Sequence, residues 1–134
     1  MKSTLAPGIE DTVKLDIDRE RTIGFMGEGG RVYATPMLVR DIENASRDLL
    51  LRHLDTGEDS VGTRVELDHV AATPLGMAVE IHVRVAEVNG RAIVIEFEGR
   101  DAVETICRGR HGRFVVDIEK TKARLAAKAE KAAA

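Results

Sequence analysis

Among its 134 residues the chain has one cysteine, no tryptophan and a single tyrosine, Tyr33. One thiol excludes an internal disulfide and any cysteine-based metal centre. Cys107 lies in Thr105-Ile106-Cys107-Arg108-Gly109, a strand-like stretch in which a lone cysteine acts as a small buried hydrophobe. Phenylalanine is confined to Phe25, Phe97 and Phe114, too few to build a stacking platform for single-stranded nucleic acid. The net charge of -3 also gives a phosphate backbone no general attraction. Long apolar runs are missing, and none approaches the ~20 residues a helix needs to cross a bilayer. Met1 to Gly8 contains one lysine and no apolar core, so it does not read as a secretory signal. The expectation is a cytoplasmic protein with neither nucleic acid nor membrane as partner.

What remains is the composition of an ordinary globular domain, 43% hydrophobic and 32% charged, and the length suits one core. Charge is uneven along it. Residues 119–134 carry five cations (Lys120, Lys122, Arg124, Lys128, Lys131) and two anions (Glu119, Glu130), which leaves residues 1–118 at -6. A domain over 1–118 and a basic Ala- and Lys-rich helical tail over 119–134, with little apolar face and prone to fray, are expected.

Val13, Leu15 and Ile17 alternate with Lys14, Asp16 and Asp18, the period of a half-buried strand. Four glycines between Gly24 and Arg31 then predict a mobile loop. Thr35-Pro36 opens a helix, with proline at a favoured first-turn position and Thr35 as its cap. Its apolar stripe, Leu38, Ile42, Ala45 and Leu49, carries it to about His53. Asp55 to Asp59 is a turn. Strands follow: Val65, Leu67, His69 and Ala71 share one face, Ala78 to Val88 and Arg91 to Glu98 form a hairpin about Asn89-Gly90 in a type I′ turn, and Val103 to Asp117 closes the run with a break at Gly109 to Gly112. One long helix beside antiparallel strands is an α+β fold, a sheet wrapped around the helix. A single helix leaves part of such a sheet uncovered, and a homodimer is the expected remedy.

Three polar residues on this frame stand out. Thr35 caps a helix on local grounds alone. Glu43 lies eight residues on, bordering the apolar stripe beside Ile42, where most glutamates are simply solvated. His69 shares an inward strand face with Val65 and Leu67, where a lone histidine is more often a hydrogen-bonded core residue than a base. Taken together, an inward Glu43 accepting the His69 N–H would fix its tautomer and raise its basicity. Gly62, without a side chain, permits close approach of a carbonyl. His111 sits in sequence among Arg108, Arg110 and Arg113, a cationic cluster suited to phosphates or a solvated turn. With no second clustered histidine and no cysteine nearby, neither a metal nor a cofactor is expected.

The order and spacing of Ala34-Thr35-Pro36-Met37, Glu43, Gly62-Thr63, His69-Val70-Ala71-Ala72-Thr73-Pro74 and Gly109-Arg110-His111-Gly112-Arg113 resemble the hotdog-fold thioesterases, most closely the fluoroacetyl-CoA thioesterase-like branch. The resemblance spans about Val13 to Lys120. It implies a hotdog fold, hydrolysis of a short or modified acyl-CoA, and a catalytic triad of Thr35, Glu43 and His69. It also implies a backbone N–H of Gly62 toward the thioester carbonyl and Arg113 near the CoA, with Arg110 and His111 beside it. Gly29 to Ala34 lacks the phenylalanines that the fluoroacetyl-specific type places over the acyl group, and Tyr33 is the aromatic residue left to contact it. A noncatalytic acyl-CoA-binding module on the same fold is the competing reading.

Overall fold

The alternation of Val13 and Leu15 with charged neighbours produces strand β1 (Glu10–Asp16), inward at Asp11, Val13 and Leu15. The computed structural model describes every residue from Met1 to Ala134. After β1, Thr22–Ile23 (β2) and Val32–Tyr33 (β3) pair as a small second sheet. The glycine-rich stretch between them is not a free loop. It holds a 3-10 turn at Glu28–Gly30, and Arg19 grips Glu28 through two bonds of 2.6 and 2.9 Å while Arg31 meets it at 3.1 Å. Those guanidinium bonds hold the Glu28 carboxyl down to about 2.

Helix α1 spans Thr35–Leu51, ending two residues short of the expected His53. Leu38, Ile42, Ala45 and Leu49 are all buried, as the stripe requires. Burial of Leu38, Ile42 and Leu49 contributes about 1.5–3 kcal/mol each. The cap differs from expectation: Ala34 is the N-cap, Thr35 is the first helical residue, and no side chain caps the start. Proline at the second position needs no partner for its missing N–H, and the Thr35 hydroxyl is free for other work.

The main sheet has five antiparallel strands in the order β1-β5-β6-β7-β4, with β4 at Glu58–His69, β5 at Ala78–Asn89, β6 at Ala92–Asp101 and β7 at Thr105–Asp117. Helix α1 touches β1 and β4, the two opposite edges, which requires the sheet to curl around it. Val79, Ile81, Val83 and Val85 from β5, with Ile93, Ile95 and Phe97 from β6, close on the helix. The β5–β6 turn is Gly90-Arg91, because Asn89 pairs with Ala92. Only Gly90 has positive φ, at 59°, which fits a type II′ turn with glycine first and replaces the expected type I′.

Strand β7 runs unbroken through Gly109 to Gly112. Gly109 is a spacing residue: a Cβ there would overlap the Glu66 carbonyl of β4 and come within 2.6 Å of Phe97. In β4 the register shifts between Gly62 and Arg64, leaving Thr63 as the extra residue of a bulge. The bulge changes which residues face inward, to Ser60 and Gly62 before it and Val65, Leu67 and His69 after it. The segment expected as a tail is helix α2 (Ile118–Ala133), begun by the Asp117 carboxylate accepting from Lys120 N–H at 2.9 Å. No residue of α2 is buried.

Candidate active site

Two elements bring the first pair together. The open start of α1 presents Thr35, and the end of β4 presents His69, so that Thr35 Oγ1 lies 2.8 Å from His69 Nδ1. His69 Nε2 is buried without a partner. Burial lowers the pKa of this imidazole, keeping it neutral and able to accept a proton at pH 7. Beside the pair lies a cavity of about 400 Å³ lined by Thr35, Pro36 and His69 and by the apolar Ile23, Phe25, Val32, Ala34, Val70, Ala71 and Ala72. The uncapped helix start at its wall carries the positive end of the α1 dipole, a suitable place for charge developing on a carbonyl oxygen.

Tyr33 forms part of the same wall, yet it belongs to the core rather than to a lid, with 1% of its surface exposed. Its hydroxyl donates to Asp41 Oδ2 at 2.5 Å, and Arg21 donates to both oxygens of that carboxylate at 2.9 and 3.3 Å. Burial, reinforced by Asp41, raises the phenol pKa, so the group remains a donor. The hydroxyl is thus turned away from His69, whose ring meets the Tyr33 ring edge-on at 6.4 Å. Sequence reading passed over Asp41 and Arg21. The signal was there: Asp41 stands between Leu38 and Ala45 on the apolar side of α1, where a carboxylate needs a partner.

Glu43 is not part of this pair. Two turns of helix set it about 12 Å along the axis from Thr35, and its carboxylate reaches Gly62, seven residues from His69 on β4. The expected Glu43–His69 hydrogen bond is therefore not formed within one chain. At Gly62, an added Cβ would stand 3.1 Å from Glu43 Oε1, 3.3 Å from His111 Cε1 and 3.6 Å from Arg113 Nη1. The expected cationic cluster is also rearranged. His111 and Arg113 are buried on the inner face of β7, with Arg113 bonded to Ser60 and His111. Arg110 is exposed on the opposite face, 3.8 Å from Glu87. Strand alternation keeps His111 and Arg113 together and sends Arg110 to the other face, and the continuity of β7 through Gly109 to Gly112 is why they do not form a turn.

A family model described as fluoroacetyl-CoA-specific thioesterase matches residues 17–119. The chain belongs to this family. A fluoroacetyl-CoA thioesterase of Streptantibioticus cattleyicolor is 34% identical over 94 residues, covering 70% of this chain and 68% of that protein. The crystal structure of a point mutant of the fluoroacetyl-CoA-specific thioesterase superposes with a TM-score of 0.86 at 28% identity, over 95% of this chain and 99% of the other. A Thermus thermophilus member of the thioesterase superfamily gives 0.87 at 26%, over 96% of both chains. A hot-dog-like protein of Thermanaerovibrio acidaminovorans, 22% identical, shares the fold at 0.85, over 91% of each. This member of the fluoroacetyl-CoA thioesterase family is accordingly a thioester hydrolase with the hotdog fold.

Proposed function

We propose that the chain hydrolyses the thioester of a short acyl-CoA, as a cytoplasmic homodimer, with Thr35, His69 and Glu43 as its reacting group. The observation that carries this reading is the 2.8 Å contact between Thr35 and His69 at the wall of an apolar cavity beside an open helix start. Thr35 orients the ring through Nδ1, and Nε2 is left to meet the reacting oxygen. Water adds to the thioester carbonyl carbon, the carbon–sulfur bond breaks, and the CoA sulfur leaves with the proton that the water gave up. Glu43 serves either as the nucleophile, attacking the carbonyl carbon itself so that the CoA sulfur leaves and the water then cleaves the mixed anhydride, or as general base toward that water. An acyl group trapped on Glu43 in His69→Ala marks the first route.

Separation of Glu43 from His69 supports the dimer. Strand β4 is an edge strand, with Val61 exposed on it. Antiparallel pairing of two β4 strands about an axis between Val65 and Glu66 sets Gly62 opposite His69 of the other copy. The partner subunit's Glu43 then lies at the buried Nε2. This arrangement makes two equivalent sites, each with groups from both chains.

Thiol release from acetyl-, fluoroacetyl-, propionyl- and butyryl-CoA tests the activity. Turnover of one or more, lost in His69→Ala, is the expected result. Micromolar binding with no turnover contradicts it and leaves the noncatalytic module.

A further inference from the structure

Arg113 is 5% exposed, yet no carboxylate lies within ion-pair distance of it. A guanidinium so placed is costly unless other groups satisfy it and its charge is used. Two residues do the satisfying. Nε donates to Ser60 Oγ at 2.8 Å, Nη2 to the Ser60 carbonyl at 2.7 Å, and Nη1 faces His111 Nε2 at 3.1 Å. On its other side His111 Nδ1 lies 2.8 Å from the Arg64 carbonyl. A carbonyl only accepts, so Nδ1 carries the proton and Nε2 accepts from Arg113. The histidine is held in one neutral tautomer between a backbone oxygen and a cation.

The charge so anchored is directed at Glu43. The other nearby carboxylate, Asp59, is already taken by Arg47 at 2.8 Å. Glu43 has no hydrogen-bond partner of its own, and its Oε1 shares with His111 Cε1 and Arg113 Nη1 the rim of the gap that Gly62 leaves open. We propose that Ser60 and His111 are positioning residues that fix the Arg113 guanidinium as a stationary positive field across the Gly62 gap from Glu43. The field orients a reactive carboxylate without bonding it, which leaves its oxygens to the partner subunit's His69, the substrate or water. This inference rests on the thioesterase reading for its catalytic consequence and on geometry alone for the locked histidine.

The test uses the full chain and the acyl-CoA it turns over best. Ser60→Ala and His111→Leu should each lower kcat about tenfold or more with KM changed less than about threefold. His111→Gln, which can still accept from Arg113, should recover most of the loss. In an Arg113→Met background neither substitution should cost anything further, because the residue through which they act is gone. Losses that multiply in that background, or that follow the fraction unfolded in a thermal melt, overturn the proposal. Nitrogen-15 shifts of His111 at neutral pH provide a readout independent of turnover: a neutral ring protonated on Nδ1 is expected, and protonation on Nε2 or on both nitrogens overturns the proposal. A wild-type chain inactive on every acyl-CoA, with the Nδ1 tautomer in place, would sink the thioesterase reading and leave the locked histidine standing.

Discussion

Thr35→Val keeps the branch of the side chain and removes the hydroxyl that meets His69 Nδ1 at 2.8 Å. With the ring unanchored, kcat should fall about 10- to 100-fold with the melting temperature little changed, since Thr35 caps nothing. Steady-state kinetics beside a thermal melt check this, and equal loss in both would return Thr35 to a structural role. His69 supplies a second residue-scale expectation. Burial lowers its pKa, so the neutral base persists below the ordinary imidazole value of ~6.5. In Glu43→Gln, which removes the carboxylate that the dimer brings to Nε2, the ring should titrate below that value by nitrogen-15 shifts. A value at or above it in that variant would mean that the ring is solvated rather than buried.

At the scale of elements, β4 and β7 approach so closely at Gly109 that any side chain meets the Glu66 carbonyl. Gly109→Ala should cost several kcal/mol, read as a lower urea midpoint, because backbone rather than a flexible side chain must move. Gly112→Ala meets the end of the Thr63 side chain at 2.8 Å and should cost less. The contrast explains what could and could not be read from sequence. Helix α1, the strand faces of β1 and β5, and the sheet around one helix follow from periodicity, since burial of Leu38, Ile42 and Val83 imposes it. Gly109 looked like punctuation because glycine marks breaks and close approaches alike, and only the neighbouring strand tells them apart. The Thr63 bulge likewise leaves no local mark, yet it decides that Gly62 and His69 both face inward. Glu43 and His69 were expected to meet because both border the interior; their distance along it is a property of the assembled sheet.

For the whole molecule, acid should be the weak side. His69 and His111 both have lowered pKa values from burial, so below ~6.5 the unfolded chain takes up protons that the folded chain resists. Their contribution is intact above that pH and drains away as pH falls below it. Glu58, held low by the Met1 ammonium, and Asp59, held low by Arg47, lose theirs at still lower pH, through their own folded values. Urea midpoints should be level between about pH 7 and 8, decline below ~6.5, and fall again above about pH 8 as the Met1 ammonium, raised by Asp55 and Glu58, and the buried Cys107 thiol come to titrate; a rise on acidification from about pH 7 would contradict the buried neutral histidines. Helix α2 adds no buried residue, and a chain ending after Ile118 should keep its activity.

Mixing two inactive variants tests the central claim most directly. Glu43→Gln and His69→Ala chains, unfolded together and refolded at equal amounts, make heterodimers in which one site has both substitutions and the other has neither. Thioester hydrolysis should return to about a quarter of the wild-type rate. If Glu43 and His69 instead act within one chain, every site in the mixture is damaged, and activity no higher than that of the separate variants would contradict the account.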